Sequence, residues 1–365
     1  MVTPPVQFKP FQLKFSKILK YIFILIPLAI AGNIIYIIVG TKHQILSELG
    51  NFNIFYLALA VILAVVPWIT QSIALILWSS LFKKRLAPMQ ALKAVMATEL
   101  GGAIAPVIVG GGYVKLGLLI NYGFAASEAT MITFLGTFAD GVFFLLTLPL
   151  ALVLSGAWSH PVIKIIKTNL VLHWHTAAVV VMGIFIIILI LRKLIWGNNI
   201  TVLPDDKNNQ KVGLARLWFK VQSFVIELFE AASFVARKGK RIFAAAVGVL
   251  GIGWCCRYCA VSALAFGLGY HADPVLFFLL QWVVFSASTI IPSPGGIGSA
   301  ELSFALVFNG LVPSGLIPIL TGAWRFVTFY MLIALDALIL TYLGLGLSLD
   351  KRNNAYPEVT EEITV

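Results

Sequence analysis

Long apolar runs, separated by short polar breaks, occupy most of the 365-residue chain. Tyr21–Val39, Ile54–Leu81, Met131–Leu154, Ala177–Leu191, Ile242–Phe266 and Val327–Leu347 are free or nearly free of charge. A helix needs about 20 apolar residues to cross the hydrocarbon core of a bilayer, so these runs predict six full spans. Two more apolar stretches, Pro88–Asn121 and Pro274–Gly310, are broken near their middles. Pro106 and Gly110-Gly111-Gly112 break the first; Pro292, Pro294, Gly295, Gly296 and Gly298 break the second. A lipid-exposed helix cannot be interrupted at mid-depth, because freed backbone groups find no water there. Each broken stretch therefore predicts a re-entrant hairpin, two half-helices that dip in and return. The first run follows Lys9, Lys14, Lys17 and Lys20. It is too long for a signal-peptide core and lacks a clean small-residue cleavage site, which predicts an uncleaved first span. Neither end carries a lipidation motif.

The two breaks are related. Pro106-Val-Ile-Val-Gly-Gly-Gly-Tyr-Val-Lys115 is matched, 186 residues on, by Pro292-Ser-Pro-Gly-Gly-Ile-Gly-Ser-Ala-Glu301. The same offset pairs Trp68 with Trp254, Gln71 with Arg257 and Gly136 with Gly322, and brings Asp140 to within one residue of Arg325. Charge reverses at both ionisable pairs. Matching Gly/Pro-broken segments in duplicated halves are a sequence pointer to a binding site at the middle of a membrane protein.

Composition agrees. Hydrophobic residues make up 60% of the chain and charged residues 11%, against about a quarter charged in soluble domains; mean hydropathy is +0.96. The net charge of +11 sits mainly in Lys9 to Lys20, Lys83-Lys84-Arg85 and Lys207 to Arg241, beside the spans. That is the cytoplasmic bias of membrane loops rather than a nucleic-acid surface. Gly40–Asn53 and Gly267–Asp273 lack such clusters and face outward, while Ser155–His175, an outer connector, holds Lys164 and Lys167 as a mild exception. If either broken stretch crossed once, every later basic loop would change sides. Parity thus requires hairpins, the first entering from the cytoplasm and the second from outside, with both termini cytoplasmic.

The expected fold is an all-α polytopic membrane protein, an inverted repeat of span, re-entrant hairpin and span, with about six full spans and two hairpins. Residues 1–20 form a basic N-terminus and 21–347 one transmembrane domain. Repeat one covers about 54–155, a cytoplasmic connector about 192–240, and repeat two about 241–347. Residues 348–365 form a short tail, with Asp350, Glu358, Glu361 and Glu362 partly balanced by Lys351 and Arg352. Within the connector, Leu217, Phe224, Leu228 and Phe229 share one helical face. That suits an interfacial amphipathic helix or a surface helix packed on the protein.

Glu99, Lys115, Glu128, Asp140, Arg257, Glu301, Arg325 and Asp336 fall in or beside apolar segments. At a span's centre each costs about 2.5–3.5 kcal/mol on insertion scales, so each needs a partner, a watery cavity or the interface. Glu128 is placed to cap its span. Arg325 and Asp336, eleven residues apart, share a helical face. Arg257 is expected to face inward, towards a carboxylate, a carbonyl or water. Half-helices beginning after Gly112 and Gly298 present free N–H groups and positive dipole ends, which attract anions. Lys115, one turn in, adds to that attraction, and Glu301 in the matching place favours a cation. The pair suits a zwitterionic or cationically modified lipid head group, or an internal Lys115–Glu301 ion pair. Lys115, Asp140, Glu301, Arg325 and Arg257 are accordingly the candidate substrate-binding residues, and the first four are expected to converge on one cavity.

Pro106-x-x-x-Gly-Gly-x-x-x-Lys followed by Asp140, and Pro-x-Pro-Gly-Gly-Ile-Gly-x-x-Glu301, resemble the signatures of the flippase-like family. That family is the lysylphosphatidylglycerol synthase transmembrane region, the membrane half of the multiple peptide resistance factor, and the resemblance covers roughly Tyr21 to Leu347. It implies movement of a charged-head-group lipid between leaflets, in larger relatives one aminoacylated by a separate cytosolic domain. Two departures stand out. Lys115 takes the place of the family's usual Arg, and Gly112 stands where an acidic residue is common. The segment after Leu347 is far too short for a synthetase domain.

Other signals are weaker. Cys255-Cys256-x-x-Cys259 matches no zinc spacing and reads as small residues buried in a span. His43, His160, His173, His175 and His271 read as surface histidines. No nucleotide or hydrolase motif appears, and no cofactor or metal is expected. Two functions remain: a lipid flippase without ATP chemistry, or a membrane enzyme or subunit using Asp140 and Glu301 for acid–base transfer from a lipid-linked donor. Membrane lipids are the expected partners, with a separate lipid-modifying enzyme or glycosyltransferase, or a second copy, as further candidates. The expected location is the cytoplasmic membrane of a prokaryote.

Overall fold

The computed structural model describes residues 52–104, 110–172, 239–290 and 293–343, with isolated positions between 27 and 38 and at 182, 233 and 237. Those between 27 and 38, inside the first predicted span, are helical. The span expected at Ala177–Leu191, nearly all of the connector with its amphipathic segment, both termini, Pro106 and Pro292 lie outside the described residues.

The described chain is helical, apart from an isolated bridge between Asn309 and Val312. Helix α1 (Ile54–Leu81) is followed by two shorter helices, α2 (Pro88–Ile104) and α3 (Gly110–Asn121), then by α4 (Ala126–Ser155) and α5 (Pro161–Leu172). The second half repeats the order, with α6 (Lys240–Gly267), short helices α7 (Pro274–Ile290) and α8 (Ser299–Phe308), and α9 (Ile317–Tyr342). Four of these, α1, α4, α6 and α9, are long and apolar enough to cross a membrane.

Local chemistry explains the ends. The Asn53 side chain accepts the Phe55 N–H at 3.0 Å and opens α1, an N-cap that satisfies one orphan donor. Glu128 accepts the Ala125 N–H at 2.8 Å and pairs with Lys84 at 2.5 Å, fixing the start of α4 as expected of a cap. The last span begins earlier than the expected Val327. The helix starts at Ile317 and runs on through Arg325, which is only 6% exposed and engaged by hydrogen bonds. The predicted outer connector also contains a helix, α5, whose apolar and basic positions alternate at helical spacing.

Helices α1 and α6 run antiparallel along their whole length. Near one end Gly239 approaches Leu81; at mid-length Gly253 abuts Thr70 and Pro67; at the other end Gly267 meets Phe52 and Tyr56, and its carbonyl accepts the Asn53 N–H at 3.2 Å. Short helices α2 and α3 fold back on each other, so Pro88–Asn121 is no continuous crossing helix. A Cβ on Gly111 would stand 2.7 Å from the Thr98 carbonyl oxygen, so only glycine permits this approach. The segment before α8 comes close to the end of α2. Gly295 lies against Phe329, and a Cβ there would be 3.2 Å from the carbonyl of Ala103, near the end of α2. The ends of the two helix pairs therefore touch.

A buried core of Leu, Ala, Phe and Trp residues runs through both halves. The outer faces are as apolar as the inner ones. Leu145, Leu146, Leu150, Val153 and Leu154 on α4 are all more than half exposed, as are Ile62 and Ile69 on α1 and Leu338 on α9. A water-soluble bundle would place polar residues there; a bilayer is the solvent that such faces match.

Candidate functional site

A cavity of about 340 Å³ lies between α1, α2, α3, α4 and α6. Its charged lining consists of Glu99 from α2, Lys115 from α3, Asp140 from α4 and Arg257 from α6. Helix α3 begins at Gly110 and not after Gly112 as expected, so Gly111 and Gly112 lie within its N-terminal turn at the cavity wall, where backbone N–H groups and the dipole favour an anion. Gly136 and Gly102 leave the wall open where larger side chains would fill it, whereas Gly253 allows the close contact of α6 with Thr70.

The carboxylates are held by tryptophans. Trp254 Nε1 donates to Asp140 Oδ1 at 2.7 Å, and Trp68 Nε1 donates to Glu99 Oε2 at 2.9 Å. The two indoles stand at the positions that the repeat offset relates, one on each of the antiparallel helices. Arg257 turns inward, and its Nη2 lies 3.3 Å from Glu99 Oε1. Lys115 and Asp140 face the same cavity and feel each other's charge. Among the described residues they form no ion pair within 4 Å.

The other two sequence candidates lie elsewhere. Glu301, in the first turn of α8, accepts hydrogen bonds from the Gly298 N–H at 2.7 Å, from Arg325 Nε at 2.8 Å and from Tyr330 Oη at 3.1 Å. Arg325 Nη2 reaches the Gly295 carbonyl at 3.0 Å, and its guanidinium lies 4.3 Å from the Phe329 ring centroid. A π turn over Phe326–Tyr330 follows directly. In a regular α-helix residues five apart point about 140° apart; the wider π turn lets Arg325 and Tyr330 converge on one carboxylate. Gly298 has φ +82°, a conformation that glycine adopts without penalty and that starts α8 immediately after the turn. Glu301 and Arg325 thus lock the Pro294-Gly295-Gly296 turn and do not line the cavity. The expected convergence of all four repeat-related charges is corrected to two. An internal Lys115–Glu301 pair is likewise replaced, because Arg325 already holds Glu301.

Three residues needed more weight than sequence reasoning assigned them. Glu99 was visible as a membrane-embedded charge but carried no repeat partner to single it out. Trp68 and Trp254 were visible as a matched pair, yet nothing in sequence told which carboxylates they would hold. Asp336 is fully buried and close to Glu99 and Arg257. Among the other side chains, Cys255 is exposed and Cys256 and Cys259 are half-buried free thiols, so the cysteines are not the buried residues expected. His160 is buried, not a surface histidine, and no hydrogen bond to either ring nitrogen is found among the described residues. Burial lowers its pKa below the ordinary histidine value.

Spanning helices with apolar outer faces around a charged interior cavity define a multi-pass, all-α membrane protein. By sequence, residues 24–335 match the lysylphosphatidylglycerol synthase TM region, and the chain belongs to that family. A UPF0104 membrane protein of Archaeoglobus fulgidus is 23% identical over 312 residues, covering 81% of this chain and 89% of that protein. No solved structure matches the chain.

Proposed function

We propose that this protein moves a lipid with a charged head group between the leaflets of a prokaryotic cytoplasmic membrane, by an alternation of its two halves that uses no ATP chemistry. The observation that carries the reading is the cavity. At about 340 Å³ it falls at the small end of ligand pockets, which run from about 300 to 1,000 Å³, so it suits a head group whose acyl chains stay in the surrounding lipid. Two cations and two carboxylates line it. Lys115 with the α3 N-terminus forms its anion-attracting wall, and Asp140, oriented by Trp254, its cation-attracting one.

The repeated order of long helix, short pair and long helix, with α1 antiparallel to α6, supports an inverted repeat. On that reading α2–α3 and α7–α8 are re-entrant hairpins entering from opposite sides, their tips in contact through Gly295 and Ala103. Alternating access about such tips is the behaviour expected of inverted-repeat transporters. A phospholipid, an aminoacyl-phospholipid or a lipid-linked saccharide fits the charge pattern. Transfer chemistry would need Asp140 and Glu301 to face one substrate, and the second is engaged by Arg325 and Tyr330 outside the cavity.

The test is a leaflet-resolved assay in proteoliposomes with head-group-labelled lipids of anionic, zwitterionic and cationic type. Acceleration that depends on head-group charge and falls with Lys115→Gln supports the reading. Equal rates with and without protein for every lipid would overturn it.

A further inference from the structure

Asp336 poses a chemical problem that the cavity alone does not answer. Its side chain is 0% exposed, and neither carboxylate oxygen has a hydrogen-bond donor among the described residues. The charged groups that face it are Glu99 from α2 and Arg257 from α6. Lys93, also on α2, is turned away, donating to the Leu343 carbonyl at 3.1 Å where α9 ends. Both oxygens of Glu99 already accept, one from Trp68 and the other from Arg257. With both acids ionised against Arg257 alone, the cluster would hold an uncompensated negative charge in the membrane interior. Such a charge is costly wherever no water or partner reaches it. A single proton removes that charge and supplies the missing donor, as an Asp336–Glu99 hydrogen bond. Because Glu99 also lines the cavity, the proton has a route between Asp336 and the cavity's contents.

We propose that Asp336 and Glu99 form a proton-binding site in the wall of the cavity, and that a proton is carried together with the lipid head group. The coupling follows from the shared cation. An anionic head-group oxygen that draws Arg257 into the cavity leaves two acids without their counter-charge, so a proton binds them more tightly when the substrate is present. Arg257 is thereby the link between the two ligands, and by linkage the proton strengthens substrate binding by the same factor. The inference rests on the transport reading for its second half only, since proton binding is a property of the protein alone.

Two measurements separate those halves. Infrared difference spectroscopy of purified wild type against Asp336→Asn, recorded over a pH series, reads the carbonyl stretch of a protonated carboxylic acid. The expected result is a band present in wild type, lost in Asp336→Asn, shifted in Glu99→Gln and bleached as pH rises. Absence of the band, or a band unchanged over the whole pH range, would overturn the site. If Asp336→Asn does not fold, the wild-type band and its shift in Glu99→Gln decide the matter. The second measurement imposes a pH gradient on proteoliposomes in the leaflet-resolved assay. One coupled proton makes a gradient of one pH unit worth about a tenfold lipid asymmetry, directed towards the alkaline side and abolished in Asp336→Asn. Translocation that proceeds at the same rate and to the same distribution with and without the gradient overturns the coupling while leaving the transport reading intact. No translocation of any lipid, with the infrared band present, overturns transport and leaves the proton site.

Discussion

Arg325 Nε donates to Glu301 Oε1 at 2.8 Å, whereas Lys115 and Asp140, at the corresponding places of the first half, remain apart and line a cavity. The same pair of positions, with its charges reversed, serves two purposes. In the second half it locks a glycine turn against α9. In the first half two opposite charges line the cavity without pairing within 4 Å.

Breaking the lock is expected to destabilise the protein. In Arg325→Gln the Glu301 carboxylate loses its cation in a largely buried setting, and removing one member of a buried pair typically costs about 3–5 kcal/mol. Chemical unfolding in detergent should show a loss of that order, with a smaller loss in Tyr330→Phe. Unchanged unfolding in Arg325→Gln would mean that the turn is held by other contacts.

The cavity charges should behave in the opposite way. Lys115→Gln and Asp140→Asn remove charge without removing an ion pair, and Asn keeps an acceptor for Trp254. Both are expected to lower lipid translocation at least tenfold with thermal stability nearly unchanged, while Lys115→Arg retains activity. A stability loss that matches the activity loss would reassign these residues to the fold.

Gly111→Ala places a methyl group 2.7 Å from the Thr98 carbonyl oxygen, backbone against side chain. Overpacking of this kind costs about 1–3 kcal/mol, and here it also forces α2 and α3 apart beside the cavity. Gly112→Ala meets no atom within 4 Å and is the matched control. Comparing the two by melting temperature checks the claim.

His160 gives a pH prediction independent of the cavity. Burial lowers its folded-state pKa below that of the unfolded chain, so the unfolded state takes up the proton first on acidification. Stability is therefore fully present above the unfolded value, near 6.5, and declines as pH falls through the interval down to the folded value. Relative to His160→Leu, the wild-type unfolding midpoint should fall as the pH drops from neutral through that interval. A flat wild-type profile between neutral and mildly acidic pH would contradict this.

The amino-acid sequence by itself determined the solvent, the repeated order of elements and the presence of helix breaks. Those properties are local. A run such as Ile54–Leu81 is apolar enough to span by its own composition, and the Pro- and Gly-rich stretch 106–112 separates two short helices, its glycines forming the first turn of the second. It also marked Lys115 and Asp140, since a charge in an apolar run is expensive regardless of neighbours. Which charge meets which partner was decided only by tertiary structure. Glu301 lies 24 residues from Arg325, Asp140 lies 114 from Trp254, and Glu99 lies 158 from Arg257. Offset matching related Lys115 to Glu301 as equivalents, and equivalence under a repeat says nothing about contact. The π turn after Arg325, which turns that side chain to the Gly295 carbonyl, has no signature in composition or periodicity. Asp336 shows the same division. Its presence in an apolar run marks it as costly, but only the packing of α9 against α2 and α6 sets it beside Glu99 and Arg257, where a proton can balance the charge.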